Sequence, residues 1–144
     1  MSQNKGSKNL KNKKFIFFDI DGTLLNDEKM PLESTVQALR QLQKNGHEIA
    51  IATGRNLFLA QEVIDTFQLD NYIVCNGAAG YFKHELKYEN KLDLNAFEKL
   101  LQISDESGHQ VVYESAPALT RRHESIENNA SEAMRSIEFE VPDH

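Results

Sequence analysis

Residues 13–27 read KKFIFFDIDGTLLND. Phe15 to Phe18 form an unbroken apolar run, the pattern of a strand covered on both faces in the middle of a parallel sheet. The run leads into two aspartates, Asp19 and Asp21, with Gly22 and Thr23 behind them. Side chains two apart on an extended segment point the same way, so both carboxylates can share one pocket, and Gly22 permits the sharp turn that follows. Two close carboxylates repel, and each is costly to ionise unless a cation lies between them. A hard divalent ion such as Mg²⁺, which takes carboxylate and carbonyl oxygens, answers that need. Taken alone, Asp-x-Asp-Gly also suits a turn with an Asx cap. A calcium loop of the EF-hand kind is excluded, because it needs glycine at its sixth position, whereas Gly22 is fourth.

Working outward, NDEKMP is a loop, and Leu32, Val36, Leu39 and Leu42 recur at helical spacing up to the stop signal Asn45-Gly46. HEIAIATGR reads as a second strand ending at Thr53, and Ala60, Val63, Ile64 and Phe67 mark a second helix. NYIVCNGAAG is a third strand running into a glycine-rich turn. Strand, helix, strand, helix, strand makes two right-handed crossover units, the opening of a doubly wound α/β sheet. The pattern then changes. YFKHELKYEN reads as a short hairpin, and Asp93 caps a helix with Leu94, Phe97, Leu100 and Leu101 on its apolar face, closed by Gly108. QVVY is a further strand, and residues 122–135 read as a weak helix.

In parallel α/β sheets ligands bind outside the carboxyl ends of the strands. Three such ends carry polar groups: Asp19 and Asp21 on the first, Thr53, Gly54 and Arg55 on the second, Asn76 and Gly77 on the third. One carboxylate can attack phosphorus while the other handles the leaving-group proton. Thr53 offers a hydroxyl at a helix start, where a phosphate oxygen is welcome. Taken singly, Thr53-Gly54 is a commonplace strand exit and Asn76-Gly77 a turn dipeptide. Cys75, the only cysteine, reads as a small buried residue rather than a nucleophile, and it allows no internal disulfide.

The chain has 144 residues and a formal net charge of −6. Lys5, Lys8, Lys11, Lys13 and Lys14 are the only charged side chains in residues 1–14, which read as a basic disordered tail. Removing those five from 16 basic residues leaves 11 against 22 acidic ones, so the body carries −11. An acidic body argues against nucleic acid as a partner. No run approaches the ~20 apolar residues of a membrane span, and no secretory signal is present, so the cytoplasm is the expected location.

FFDIDGTLL resembles the first motif, DxDGT, of the haloacid dehalogenase-like (HAD) superfamily. IAIATGR resembles its second motif in the form common in the Cof-type, type IIB phosphatase branch, and CNGAAGYF resembles that branch's Asn-Gly-Ala segment. The resemblance implies a HAD-like Rossmannoid sheet, of which the chain supplies strands 1–3 over residues 15–80, followed by the start of an α/β cap domain over residues 81–144. It implies Asp19 as the nucleophile that forms an aspartyl-phosphate, and Asp21 as general acid and then base. Mg²⁺ would be held by the Asp19 carboxylate and the Asp21 carbonyl. Thr53 would hold a phosphate oxygen and Arg55 and Asn76 would border the substrate, a small phosphorylated metabolite, with Gly54 and Gly77 among the substrate-binding residues.

Relatives also carry a lysine after the cap and a Gly-Asp motif with further acids. The sequence holds no Gly-Asp pair, and Lys83, Lys87, Lys91 and Lys99 fall within the cap segment. The expectation is therefore a truncated form of a Mg²⁺-dependent phosphatase. Two other readings stand beside it: an inactive fragment or interaction module, and one half of a split phosphatase. The implied sheet order 3-2-1-4-5 makes Phe15–Phe18 central and leaves one of its edges bare, which predicts self-association.

Overall fold

The computed structural model describes residues 13–109 and 111–121. The chain runs β1 (Phe15–Phe18), α1 (Glu33–Lys44), β2 (Glu48–Ala52), α2 (Leu57–Phe67) and β3 (Asn71–Val74), then a single 3₁₀ turn, Cys75–Gly77. β4 (Ala79–Phe82), β5 (Glu85–Glu89), α3 (Leu94–Ser107), β6 (Val112–Glu114) and β7 (Leu119–Arg121) follow. The helix expected over residues 122–135 and tail residues 1–12 lie outside the described residues. Lys13 and Lys14, at the end of that tail, are both engaged. The Lys13 ammonium donates to Glu48 at 2.7 Å, and the Lys14 amide donates to the His47 ring at 3.3 Å.

One five-stranded sheet has the order β1-β2-β3-β4-β5. β1, β2 and β3 are parallel, with Phe17 opposite Ala50 and Ile51 opposite Tyr72. The expectation of three strands is corrected here: β4 and β5 extend the same sheet by antiparallel pairing on β3. The hairpin turn explains how. Lys83 (φ 52°) and His84 (φ 62°) are both left-handed, the two-residue geometry whose twist matches the flanking strands. The buried Asn71 fastens that turn, accepting from the Lys83 amide at 3.1 Å while donating to the Ile49 carbonyl at 3.2 Å. Gly80 lies across from Tyr88, and a Cβ there would fall 2.2 Å from the tyrosine ring, so the pairing needs a glycine.

Both crossover helices pack on the same sheet face. Val36 and Leu39 of α1 and Ala60, Val63, Ile64 and Phe67 of α2 join Ile49, Ile51, Tyr72 and Val74 in one buried cluster. Each such fully buried aliphatic or aromatic side chain contributes about 1.5–3 kcal/mol. Alternation along the strands sends Phe15, Phe17, Ala50, Ile73, Gly80 and Phe82 to the opposite face. There they line an open groove of about 170 Å³. Phe15 is 45% exposed and Phe17 52%, while Ile16 and Phe18 are half-buried. The expectation of a strand covered on both faces is therefore corrected. β1 is the edge of the described sheet and no described element covers its second face, so Phe15 instead stacks on Phe17 with ring centroids 5.1 Å apart.

The residues after β5 are more open. The Asp93 carboxylate caps α3 by accepting from the Ala96 amide at 3.0 Å, and Gly108 (φ 68°) ends the helix. Ser104 is its only buried residue, with Leu94 67% and Leu100 56% exposed. β6 and β7 pair in a separate two-stranded sheet. The loop between them sends Ala116 into the main buried cluster.

Candidate active site

The first motif is built around a buried residue between two exposed ones. Ile20 is fully buried, and its carbonyl accepts from the amides of Thr23, Leu24 and Leu25 at 3.0–3.3 Å. That tight turn, with Gly22 at φ 73°, places Asp19 and Asp21 on the solvent side at the end of β1. Leu24 and Leu25 drop into the core behind them.

Asp21 is not left to repel Asp19. The Arg55 guanidinium grips its carboxylate bidentately, Nη2 at 2.7 Å from Oδ1 and Nε at 3.0 Å from Oδ2. The Lys29 ammonium adds a third contact at 2.9 Å. The Arg55 hydrogen bonds and then those of Lys29 outweigh partial burial, and the Asp21 carboxyl is held down at about 2. The cation that sequence reasoning required beside the paired acids is thus supplied in part by the protein. Nothing in the sequence pattern marks Lys29. It sits in the NDEKMP loop, where residue spacing carries no sign that its side chain turns back.

The second and third strand ends are fastened together by backbone. Thr53 is buried; its amide donates to the Ile73 carbonyl at 3.0 Å, and its hydroxyl accepts from the Arg55 amide at 3.1 Å. The Asn76 amide donates to the Thr53 carbonyl at 3.2 Å, and the Cys75 amide to the Arg55 carbonyl at 2.8 Å. Cys75 and Asn76 both have φ 52°, and Gly77 follows at 91°, so three successive left-handed residues make the bend. Gly54 lies against the Asn76 side chain: a Cβ there would fall 2.9 Å from the Asn76 carbonyl oxygen. Asp21, Thr53, Gly54, Arg55, Asn76 and Gly77 thus form one connected rim, and Asp19 stands exposed at the end of β1 beside it. Cys75 is half-buried, and burial pushes its thiol up to about 11, which keeps it protonated.

The start of α2 does not present free amides to a phosphate. The Leu59 amide donates to the Asn56 side chain at 2.8 Å and the Ala60 amide to the Asn56 carbonyl at 3.0 Å. The Leu57 and Phe58 amides both donate to the Ala116 carbonyl, at 2.8 and 3.3 Å. All four donors of the first turn are therefore spoken for. Asn56, fully buried with its Nδ2 unpartnered, carries a sequence signature as an N-cap residue; the Ala116 carbonyl, being backbone, carries none.

Among the described residues no group of three or more His, Cys, Asp or Glu side chains could hold a metal. Two carboxylates remain, which suits an ion that takes one or two protein acids and fills its shell from water and phosphate. Nor is any described helix long and apolar enough to cross a membrane.

A sequence profile of the haloacid dehalogenase-like hydrolases matches residues 16–143. YkrA of Bacillus subtilis is 39% identical over 100 residues, a match covering 69% of this chain and 39% of YkrA. The 5-amino-6-(5-phospho-D-ribitylamino)uracil phosphatase YcsE of Bacillus subtilis is 35% identical over 66 residues, covering 45% of this chain and 26% of YcsE. The solved structure of the HAD subclass IIB sugar phosphatase BT4131 superposes with a TM-score of 0.63 at 28% identity, covering 76% of this chain and 44% of that one. The chain thus spans well under half the length of these relatives. The motif at the end of β1, the profile match over most of the chain and the shared fold carry one conclusion: the chain belongs to the haloacid dehalogenase-like hydrolases.

Proposed function

We propose that the chain carries the nucleophile side of a phosphatase site for small phosphorylated metabolites. The observation that carries this reading is the convergence of Asp19, Asp21, Thr53, Arg55 and Asn76 at the carboxyl ends of three parallel strands. An oxygen of the exposed Asp19 carboxylate attacks phosphorus, and the bond from phosphorus to the substrate alcohol breaks. Asp21 gives its proton to the departing alkoxide. A water then attacks phosphorus, Asp21 takes the water's proton, the bond from phosphorus to the Asp19 oxygen breaks, and inorganic phosphate leaves. With Arg55 and Lys29 on its carboxylate, Asp21 is in its base form. It can hold a proton for the first step once those cations turn to the phosphate.

The Asp19 carboxylate and the Asp21 carbonyl are the groups that would hold Mg²⁺, which neutralises phosphate charge when bound. The Asp21 carboxylate, already matched by two cations, is the less suited of its oxygens. Thr53 and Gly54 border the phosphate side, and Asn76 and Gly77 the substrate side. Metabolite phosphates as a class agree with what YcsE and the sugar phosphatase are named for. The chain works in the cytoplasm.

The open aromatic face favours a second reading beside this one: the chain as one half of a split phosphatase. The other half would cover Phe15, Phe17 and Phe82, and would bring the lysine and Gly-Asp motif that this sequence lacks. In that case the chain alone hydrolyses an aryl phosphate negligibly, and a segment bearing both motifs restores the rate. Mg²⁺-dependent hydrolysis abolished by Asp19→Asn is the test of the site.

A further inference from the structure

We propose that Lys29 is a phosphate-positioning residue: with Arg55 it forms a two-cation cradle that holds the Asp21 carboxylate and can hold a phosphate in its place. The inference rests on the reading of this site as one that takes a phosphate group, and adds to it a residue outside the three motifs.

The loop from Asn26 to Met30 is built to present that lysine. The Asn26 amide donates to the Met30 carbonyl at 3.0 Å, the Lys29 amide to the Asn26 carbonyl at 2.9 Å, and the Met30 amide to the Asn26 side chain at 2.9 Å. A bridge between Leu25 and Pro31 closes the base. Within this staple Lys29 itself takes φ 62°, a left-handed conformation that an L side chain adopts at a cost. Three hydrogen bonds and a strained residue therefore bring one ammonium to 2.9 Å from Asp21 Oδ1, eight positions back in the chain. A lysine wanted only for solubility needs no such turn.

The chemistry of the pair suits an oxyanion in general. Arg55 offers Nη2 and Nε as a fork, the geometry that matches carboxylate and phosphate alike, and Lys29 adds a point charge on the shared oxygen. Arg55 is steadied from behind, donating through Nη1 to the Leu59 carbonyl at 3.3 Å. The Lys29 side chain is 61% exposed and that of Asp21 41%, so a ligand can reach the pair from solvent. A phosphate dianion carries more charge than the carboxylate and more oxygens to share between the two cations. Exchanging one for the other would leave neither cation unpaired and would free Asp21 for its own chemistry.

The test is binding of inorganic phosphate to the full chain, measured by titration calorimetry at constant ionic strength, which needs no turnover. Lys29→Met should weaken binding about tenfold, and Lys29→Arg should restore it to within about twofold. Asp21→Asn should tighten it severalfold by removing the internal competitor, while Lys44→Met, the same charge change on an exposed turn of α1, should do nothing. Urea midpoints check that each variant folds, and Lys29→Gln serves if the methionine variant does not. The proposal is overturned if the unmodified chain binds no phosphate, if Lys29→Met binds as well as the unmodified chain, or if Asp21→Asn binds no more tightly. Lys29-dependent phosphate binding, with no hydrolysis even when the chain is joined by a segment bearing the lysine and the Gly-Asp motif, would sink the catalytic reading and keep this one. Hydrolysis together with phosphate binding indifferent to Lys29 would do the reverse.

Discussion

Replacing Phe17 by threonine tests where β1 lies in the sheet. Threonine keeps the β preference of the strand, so the change reports mainly on burial. Phe17 is 52% exposed over the open groove. Losing half of the ~1.5–3 kcal/mol of a fully buried phenylalanine costs about 1 kcal/mol, and a groove open to water adds no cavity penalty. Ile51, one strand further in and fully buried, is the internal standard. Ile51→Ala removes atoms packed on all sides and should cost about 2–5 kcal/mol. Urea unfolding followed by far-ultraviolet circular dichroism on the full chain gives both values, and equal slopes would show that the unfolded states match. Phe17→Thr should also lessen any self-association seen by size-exclusion chromatography, since it removes part of the aromatic face. A cost for Phe17→Thr as large as that for Ile51→Ala would mean that this face is covered, and would refute the placement of β1 at an open edge.

Two further outcomes follow from the site. Asp21 is held at about 2, below its ordinary 3.8, first by the Arg55 hydrogen bonds. A depressed carboxyl contributes stability that is fully present above its unfolded value and lost as pH falls through about 2, so the acid limb between about 4 and 2 should carry it. With the side chain 41% exposed, solvent screening leaves about 1 kcal/mol. Arg55→Met should flatten that limb in urea midpoints taken against pH, whereas parallel limbs would show that the pair adds nothing. Asn56→Ala removes the cap on α2 and should cost about 1 kcal/mol, with faster hydrogen exchange at the Leu59 amide.

Much of this architecture can be read from residue spacing. Ala60, Val63, Ile64 and Phe67 recur at the helical period because one stripe of α2 must face the sheet, and those four are its buried residues. Asp93 and Gly108 mark the ends of α3 because the backbone there needs an acceptor and a left-handed residue. The run Phe15–Phe18 misleads for a physical reason. An apolar run states what a strand is suited to, not which neighbours cover it, and here one face has none among the described residues. Strands β4 and β5 are legible as a hairpin but not as part of the main sheet, because the tie to β3 runs through Asn71 and the turn backbone, while the glycine at position 80 serves the pairing of β4 with β5. Within the site, Asp19 and Asp21 and the polar ends of β2 and β3 stand out by position. Lys29 and the Ala116 carbonyl do not, since a left-handed backbone and a main-chain acceptor leave no mark in side-chain pattern.

Asp19 is proposed to take the phosphoryl group in a Mg²⁺-dependent site. The direct measurement uses this chain co-expressed with a segment, drawn from a relative, that bears the lysine and the Gly-Asp motif. The complex is given an aryl phosphate with Mg²⁺, its steady rate is followed, and a sample quenched in acid is mapped by peptide mass spectrometry. The expected result is Mg²⁺-dependent hydrolysis and one phosphoryl group on the peptide containing Asp19, with both lost in Asp19→Asn and with negligible rate from the chain alone. Full hydrolysis by the Asp19→Asn complex, or a phosphoryl group found on another residue, would contradict it.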